Sequence, residues 1–324
     1  MPVPGPMAIY HEHPDWFRPL FAELDRRGIA YVRLDPRSHR YDPSERASPY
    51  SLVFNRMSPS AYLRGGLQGM FYTLGYLAHL ERLNVPTVNG LKAFTTETSK
   101  ARQLTLLESL GLPYPASRVI NHADQAASAA EGLRFPVVVK ANIGGSGAGI
   151  VRFDTHEDLT RAADEGRLDF GVDHTALVQE FVPNRGGKIT RVELLGGKFL
   201  YAIDVFTTGD TFNLCPADIC QRSDGVALER SACAVDTPKT KLKVAGVTPP
   251  IEVITACEAI MREAGIDVGG IEYMIDDRDG SLVYYDINAL SNFVADAKNV
   301  IGFDPFVRLV DYLEVVAKKT EEHG

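Results

Sequence analysis

Two stretches of the 324-residue chain combine residue types that could handle a nucleoside triphosphate. The first is Gly269-Gly270-Ile271-Glu272-Tyr273-Met274-Ile275-Asp276-Asp277-Arg278-Asp279-Gly280-Ser281-Leu282-Val283-Tyr284-Tyr285-Asp286-Ile287-Asn288. It reads as two strands joined at Arg278-Asp279-Gly280, a three-residue loop with glycine where φ turns positive. That loop predicts Ile271 opposite Ile287, Tyr273 opposite Tyr285 and Ile275 opposite Val283, all on one buried face. It also sets Glu272 opposite Asp286, with Asn288 two residues on, on the side away from the core. Three hard oxygen ligands so placed suit Mg2+, which keeps coordination places for substrate phosphates. A hairpin with a plain solvent face is the simpler alternative. Met274, Leu282 and Tyr284 beside the acids argue against it, because such a face seldom carries so much apolar bulk.

The second stretch, Pro136 to Phe153, runs strand, glycine loop, strand. Gly144, Gly145, Gly147 and Gly149, with Ser146 among them, free the backbone to close over an anion and aim N–H groups at it. Lys140 projects from the strand that leads into this loop. A cation beside a nest of donors is what a triphosphate needs. The common phosphate motifs do not fit: there is no Gly-Lys-Ser/Thr at the loop end, and Ile150 breaks the dinucleotide spacing. A flexible hairpin tip is the alternative, and the acid set downstream weighs against it.

The elements that must hold these residues follow from periodicity. Met7 to Tyr10, a helix opened by His13-Pro14-Asp15 and closed by Gly28, and Ile29 to Leu34 form a β-α-β unit. Leu52 to Phe54 predicts a strand ending at Asn55-Arg56, and Tyr72 to Leu83 a helix. Val85 to Asn89 closes the first unit near residue 90. One helix is predicted over Thr95 to Leu110, capped by Thr96 or Thr98 and stopped by Gly111. A helix over Asp124 to Glu131, strand Val137 to Ala141, a helix capped by Asp154-Thr155 and strand Ala176 to Val182 follow. Strands Ile189 to Leu195 and Lys198 to Phe206 flank Gly196-Gly197. A helix after Thr248-Pro249-Pro250 precedes the acidic hairpin, and Asp304-Pro305 opens the last helix.

Composition bounds the partners. With 45% hydrophobic and 23% charged residues the chain is globular, large enough for two or three units. A net charge of −8, with only Lys239 to Lys243 locally basic, argues against nucleic acid. No apolar run is long enough to span a membrane, and no signal-peptide order opens the chain. Cys215, Cys220, Cys233 and Cys257 show no zinc spacing, which predicts idle thiols in a reducing cytoplasm.

Taken in order, Pro136 to Phe153, Val178-Gln179-Glu180-Phe181-Val182, the Arg191 strand ending Gly196-Gly197-Lys198, Gly270-Ile271-Glu272 and Asp286-Ile287-Asn288-Ala289 resemble the ATP-grasp superfamily. The likeness is to its branch of ribosomal-protein glutamate ligases and related carboxylate–amine ligases, over roughly residues 85 to 320. The resemblance implies a mixed α+β and α/β chain: an ATP-grasp fold, two α+β subdomains gripping ATP, preceded by a small Rossmann-like N-terminal domain. Its boundaries would be 1–90, 91–183 with the glycine lid, and 184–324 with the metal site. Carried over residue by residue, Lys100 and Lys140 would touch phosphates or adenine, and Gly144, Gly145, Ser146 and Gly147 would cover the phosphates. Gln179, Glu180, Phe181 and Val182 would line the adenine, and Lys188 would sit near the ribose or phosphates. Arg191 would stabilise the transferred γ-phosphoryl group, and Glu272, Asp286 and Asn288 would hold one or two Mg2+, with Mn2+ as substitute. Each has a plain alternative: an exposed helix lysine for Lys100, strand-end surface charges for Glu180 and Lys188, an ion pair for Arg191.

The implied activity is ATP-dependent ligation of a carboxylate to an amine, an amino acid or short peptide, through an acyl phosphate, releasing ADP and phosphate. The alternatives are an ATP-binding regulatory protein without ligation and a phosphotransferase on the same fold. A homo-oligomer is expected from the resemblance alone. Departures fall more on the substrate side than the ATP side: Ile189-Thr190-Arg191 stands where Asp-Ile-Arg is usual, Asp286 where the last metal motif usually has Glu, and Ala289 to Phe293 replaces a Ser-Ser-Pro-Gly style loop. Asp204, Asp210 and Asp218, with Asn213 and Gln221, are candidates for an acceptor pocket, and Arg56 and Arg64 for a grip on the substrate carboxylate.

Overall fold

The computed structural model describes residues 5–13, 15–144, 149–206 and 243–319. The opening alternation builds β1 (Met7–His11), α1 (Arg18–Arg27), β2 (Tyr31–Leu34), β3 (Leu52–Arg56), α2 (Leu67–Arg82) and β4 (Thr87–Val88). The four strands form a parallel sheet in the order β2-β1-β3-β4. α1 starts at Arg18, later than His13-Pro14-Asp15 predicts, with Pro19 in the first turn, where a missing N–H costs nothing. It stops as predicted at Gly28, which takes φ +66°.

Two helices replace the single one predicted next: α3 (Leu91–Glu97) and α4 (Lys100–Ser109). Ser99, not Thr96 or Thr98, caps the second, its hydroxyl accepting from the Arg102 N–H at 3.3 Å. The break has a tertiary cause. Asn142, beyond the next sheet strand, accepts the Lys100 N–H on its carbonyl and the Ala101 N–H on its side chain.

The middle unit holds β5 (Ser117–Ile120), α5 (Ala126–Ala129), β6 (Val137–Ala141), β7 (Val151–Phe153), α6 (His156–Asp164) and β8 (Ala176–Glu180). Its antiparallel sheet runs β5-β8-β6-β7. Periodicity misses β5, an edge strand with Arg118 and Val119 exposed. Thr155 caps α6 as predicted, its hydroxyl accepting from the Asp158 N–H at 3.1 Å.

The last unit contains β9 (Lys188–Leu195), β10 (Lys198–Phe206), β11 (Val244–Val247), α7 (Ile251–Ala264), β12 (Val268–Ile275), β13 (Leu282–Asn288), α8 (Ala297–Val300) and α9 (Pro305–Lys319). The antiparallel order is β11-β10-β9-β12-β13. One face of this sheet is covered by α7: Val192, Leu194, Ala202, Ile271 and Ile287 pack with Cys257, Ile260 and Met261. The opposite face is not left to solvent. Ile189, Tyr201, Ile203, Val205 and Val268 form a core with Leu309, Val310 and Leu313 of α9, with Met7, Ile9 and Phe54 of the first sheet and with Phe17 before α1. Arg27 of α1 ties that junction, donating to Asp311 at 2.7 Å, Glu314 at 2.9 Å and the Val307 carbonyl at 3.0 Å. Among the described residues no helix is long and apolar enough to cross a membrane.

Candidate active site

The acidic hairpin forms, with one correction to its register. Gly270 pairs with Asn288, Ile271 with Ile287 and Glu272 with Asp286, as predicted; beyond them Tyr273 pairs with Tyr284, Met274 with Val283 and Ile275 with Leu282. A β-bulge takes up Tyr285, so Tyr284 rather than Tyr285 joins Tyr273 in the α7-side core. The bulge turns Tyr285 toward the acids, and its hydroxyl donates to Glu272 at 2.6 Å. The connection is also longer than the predicted three residues. The Asp276 N–H donates to the Ser281 carbonyl and the Gly280 N–H to Asp276, with Gly280 at φ +82° as its position requires.

Strand pairing assembles the site as two rows on one face. Ile203, Arg191, Glu272 and Asp286 lie side by side across β10, β9, β12 and β13, and Tyr201, Glu193, Gly270 and Asn288 form the next row. Arg191 donates to Glu193 at 2.6 Å, to Glu272 at 2.8 Å and to the Ser291 hydroxyl at 3.4 Å. Gly270 makes room for it: a Cβ there would stand 2.8 Å from two guanidinium nitrogens. Asp286 accepts from Lys100, the first residue of α4, at 2.7 Å and from the Asn288 amide at 3.1 Å. Gln103, one turn along α4, docks that helix on the free edge of β13 by bonding both the N–H and the carbonyl of Ile287.

Charge is concentrated here under low exposure. Burial pushes the Glu272 carboxyl up and the charge of Asp286 adds to that, against Arg191 and the Tyr285 hydroxyl. Burial also works against Asp286, but Lys100, Lys140 and the Asn288 amide outweigh it and hold its pKa down. Lys100 is held up by Asp286 and its neighbouring acids in spite of burial. Lys140, 7% exposed, is brought down to about 7 by burial and by Lys100. Among the described residues it has no hydrogen-bonding or ion-pair partner. Glu193 is 1% exposed and its Oε2 is likewise unpartnered. The donor set of two facing carboxylates and an amide oxygen fits a hard divalent cation, which would relieve the repulsion between Glu272 and Asp286. Among the described residues no group of three or more His, Cys, Asp or Glu could hold a metal ion, so the set depends on Asn288.

The remaining expected residues divide. Gly144 ends the described part of the β6–β7 hairpin, while Gly145, Ser146 and Gly147 lie outside the described residues, as do Asp210, Asn213, Asp218 and Gln221. Gln179 donates to the Ser117 hydroxyl at 2.7 Å. The Glu180 carboxylate accepts from the backbone and side chain of Arg134, both at 2.9 Å, and has Arg278 at 3.6 Å. Phe181 gives its N–H to the Pro136 carbonyl and lies under the Arg152 guanidinium, and Val182 is buried. Lys188 and Asp204 pair with each other, and Thr190 donates to Asp204 at 2.6 Å. Strand alternation puts these three on the face opposite Arg191, so Asp204 cannot line a pocket on the acid face. Arg64 is committed to Glu12 at 2.5 Å. Arg56 is buried against backbone carbonyls, so neither arginine is free to grip a substrate.

Two groups at the site carry no signal in the pattern. Glu97, ending α3, accepts from the Ala289 N–H and is pushed up to about 7 by burial. Tyr285 reads as core until the bulge is known.

Comparison with known proteins bears on the fold that holds this site. A model of the RimK-like ATP-grasp domain matches residues 97–214. A probable alpha-L-glutamate ligase of Aliivibrio salmonicida is 30% identical over 143 residues, 43% of this chain and 46% of that protein. One from Serratia proteamaculans is 26% identical over 287 residues, covering 78% and 94% of the two chains. The ATP-grasp ligase PsnB complexed with minimal precursor superposes with a TM-score of 0.67 at 16% identity, over 96% of this chain and 99% of that one. At that identity the superposition speaks for the fold alone. The chain has the ATP-grasp fold, and its residues 97–214 match the model of the RimK-like ATP-grasp domain.

Proposed function

We propose that this chain is an ATP-dependent carboxylate–amine ligase joining an amino acid or short peptide through an acyl phosphate, with release of ADP and phosphate. The observation that carries the reading is the convergence of Arg191, Lys100, Glu272, Asp286 and Asn288 on one sheet face, with Lys140 acting on Asp286. Chemistry of this kind needs little covalent help; it needs positioning and cancelled charge. Mg2+, or Mn2+ in its place, held by Glu272, Asp286 and Asn288, would draw charge from the transferred group. Burial and Lys100 bring Lys140 down to about 7, and an approaching phosphate would favour its protonated form. Lys100, now paired with Asp286, would be available to phosphate if that carboxylate were holding the metal instead. Arg191, braced by Glu193, meets the phosphoryl oxygens while a carboxylate attacks. Glu180 is spent on Arg134 and Arg278, so it would brace the adenine hinge and leave base contact to the backbone of 181–182.

A cytoplasmic setting supplies both ATP and amino acids, and a homo-oligomer is the expected assembly, read by light scattering. The decisive experiment incubates the protein with Mg-ATP and pooled amino acids and short peptides, with and without hydroxylamine. ADP with a hydroxamate by mass spectrometry supports the ligase. AMP and pyrophosphate would overturn it, and a stable phosphate ester in place of an amide would make the protein a phosphotransferase. ATP bound without turnover across broad pools would point to a regulatory binder.

A further inference from the structure

Arg56 ends β3 at 3% exposure, with no carboxylate in ion-pair reach among the described residues. Its guanidinium donates to the carbonyls of Ala289 (3.5 Å) and Ser291 and to the Asn292 side chain (3.3 Å), and it packs against Phe17 and Phe54. Among the described residues its Nε has no hydrogen-bond partner. Burying such an ion costs several kcal/mol, and a methionine would fill the space without that cost. The contacts it makes show what the charge is kept for. Ala289 is also held by Asn89 at 2.7 Å and by Glu97, whereas the Ser291 carbonyl takes no other donor among the described residues. Arg56 therefore governs Ser291 in particular. The hydroxyl of that serine accepts from Arg191 at 3.4 Å and from the Phe293 N–H at 3.2 Å. Glu97 and, less strongly, Glu193 act on Arg56 through space, and Glu193 also braces Arg191.

We propose that Arg56 is a positioning residue of the first sheet: by fixing Ser291 it sets the angle at which Arg191 meets the transferred phosphoryl group. This rests on the phosphoryl-transfer reading above, and the test separates the two. Binding of Mg·ADP is measured alone and with aluminium fluoride, which with ADP mimics the transferred group. Wild-type protein should bind about tenfold more tightly with fluoride. Arg56→Met should bind Mg·ADP within about twofold of wild type yet lose most of that fluoride-dependent gain. Ser291→Ala should lose a similar share, and the double variant no more than either single, because both act on one arrangement. Arg56→Lys, able to donate to the same carbonyl, should recover part of the gain.

A full gain retained in Arg56→Met overturns the proposal. So does a parallel loss of Mg·ADP binding, fluoride gain and melting temperature, which would mean that Arg56 only holds the fold. If Arg56→Met does not fold, Arg56→Lys and Ser291→Ala decide the same question, since each disturbs packing little. Wild-type protein without any fluoride gain would instead sink the phosphoryl-transfer reading.

Discussion

Glu97 and Lys140 are two side chains near the acid face that burial brings to about 7 from opposite sides. Glu97 titrates at about 7 against an ordinary 4.5, so the folded chain holds a proton that the unfolded chain has lost between those values. Its cost is absent below pH 4.5, grows through that window and is complete above pH 7. Glu97→Gln keeps an oxygen for the Ala289 N–H and removes the charge. Its melting temperature should match wild type near pH 4.5 and exceed it above pH 7, by a stability difference of at most about 3 kcal/mol. A gap independent of pH would refute this. Lys140 runs the other way on the scale. Between about 7 and 10.5 the unfolded chain holds a proton that the native chain lacks, so stability rises with pH across that range. Lys140→Met should raise the melting temperature at pH 7 and lower ATP affinity about tenfold, read by calorimetry. Unchanged affinity would remove Lys140 from the nucleotide site.

At the level of elements, neighbouring glycines in β12 face different obstacles. A Cβ on Gly269 would stand 2.5 Å from the Asn288 carbonyl oxygen, which is strand backbone and cannot yield. On Gly270 it would meet the Arg191 guanidinium, the far end of a flexible side chain. Gly269→Ala should therefore cost about 2 kcal/mol or more of stability in denaturant melts. Gly270→Ala should cost about 1 kcal/mol or less and abolish most turnover by displacing Arg191. Equal stability losses would show that the two faces of β12 are not distinguished in this way.

The whole molecule is joined where the first sheet, the last sheet and α9 share one core, and Arg27 is a polar tie between α1 and α9 there. Its side chain keeps 17% exposure, so the ion pairs are partly screened. Arg27→Ala should lower stability by about 1 kcal/mol. Hydrogen exchange should quicken in α1 and α9 while the β6–β8 sheet is unchanged. Faster exchange everywhere would mean that the junction unfolds with the whole chain rather than opening by itself.

Local chemistry in the sequence was enough for most strands (not the edge strands β5 and β11), most helices, the Thr155 cap, the Gly28 stop and the pairing of Glu272 with Asp286. Each depends on period, turn residues or a short loop, all of which act within a few residues. Three things needed the folded chain. The α3–α4 break depends on Asn142, which reaches Lys100 and Ala101 only after the middle sheet has formed. The Tyr285 bulge depends on which face must pack α7 and which must meet the acids, a choice that alternation alone does not make. The fate of Arg56, Arg64, Lys188 and Asp204 depended on distant partners: a charge near a candidate site is free or committed only according to what the tertiary structure brings within 3 Å.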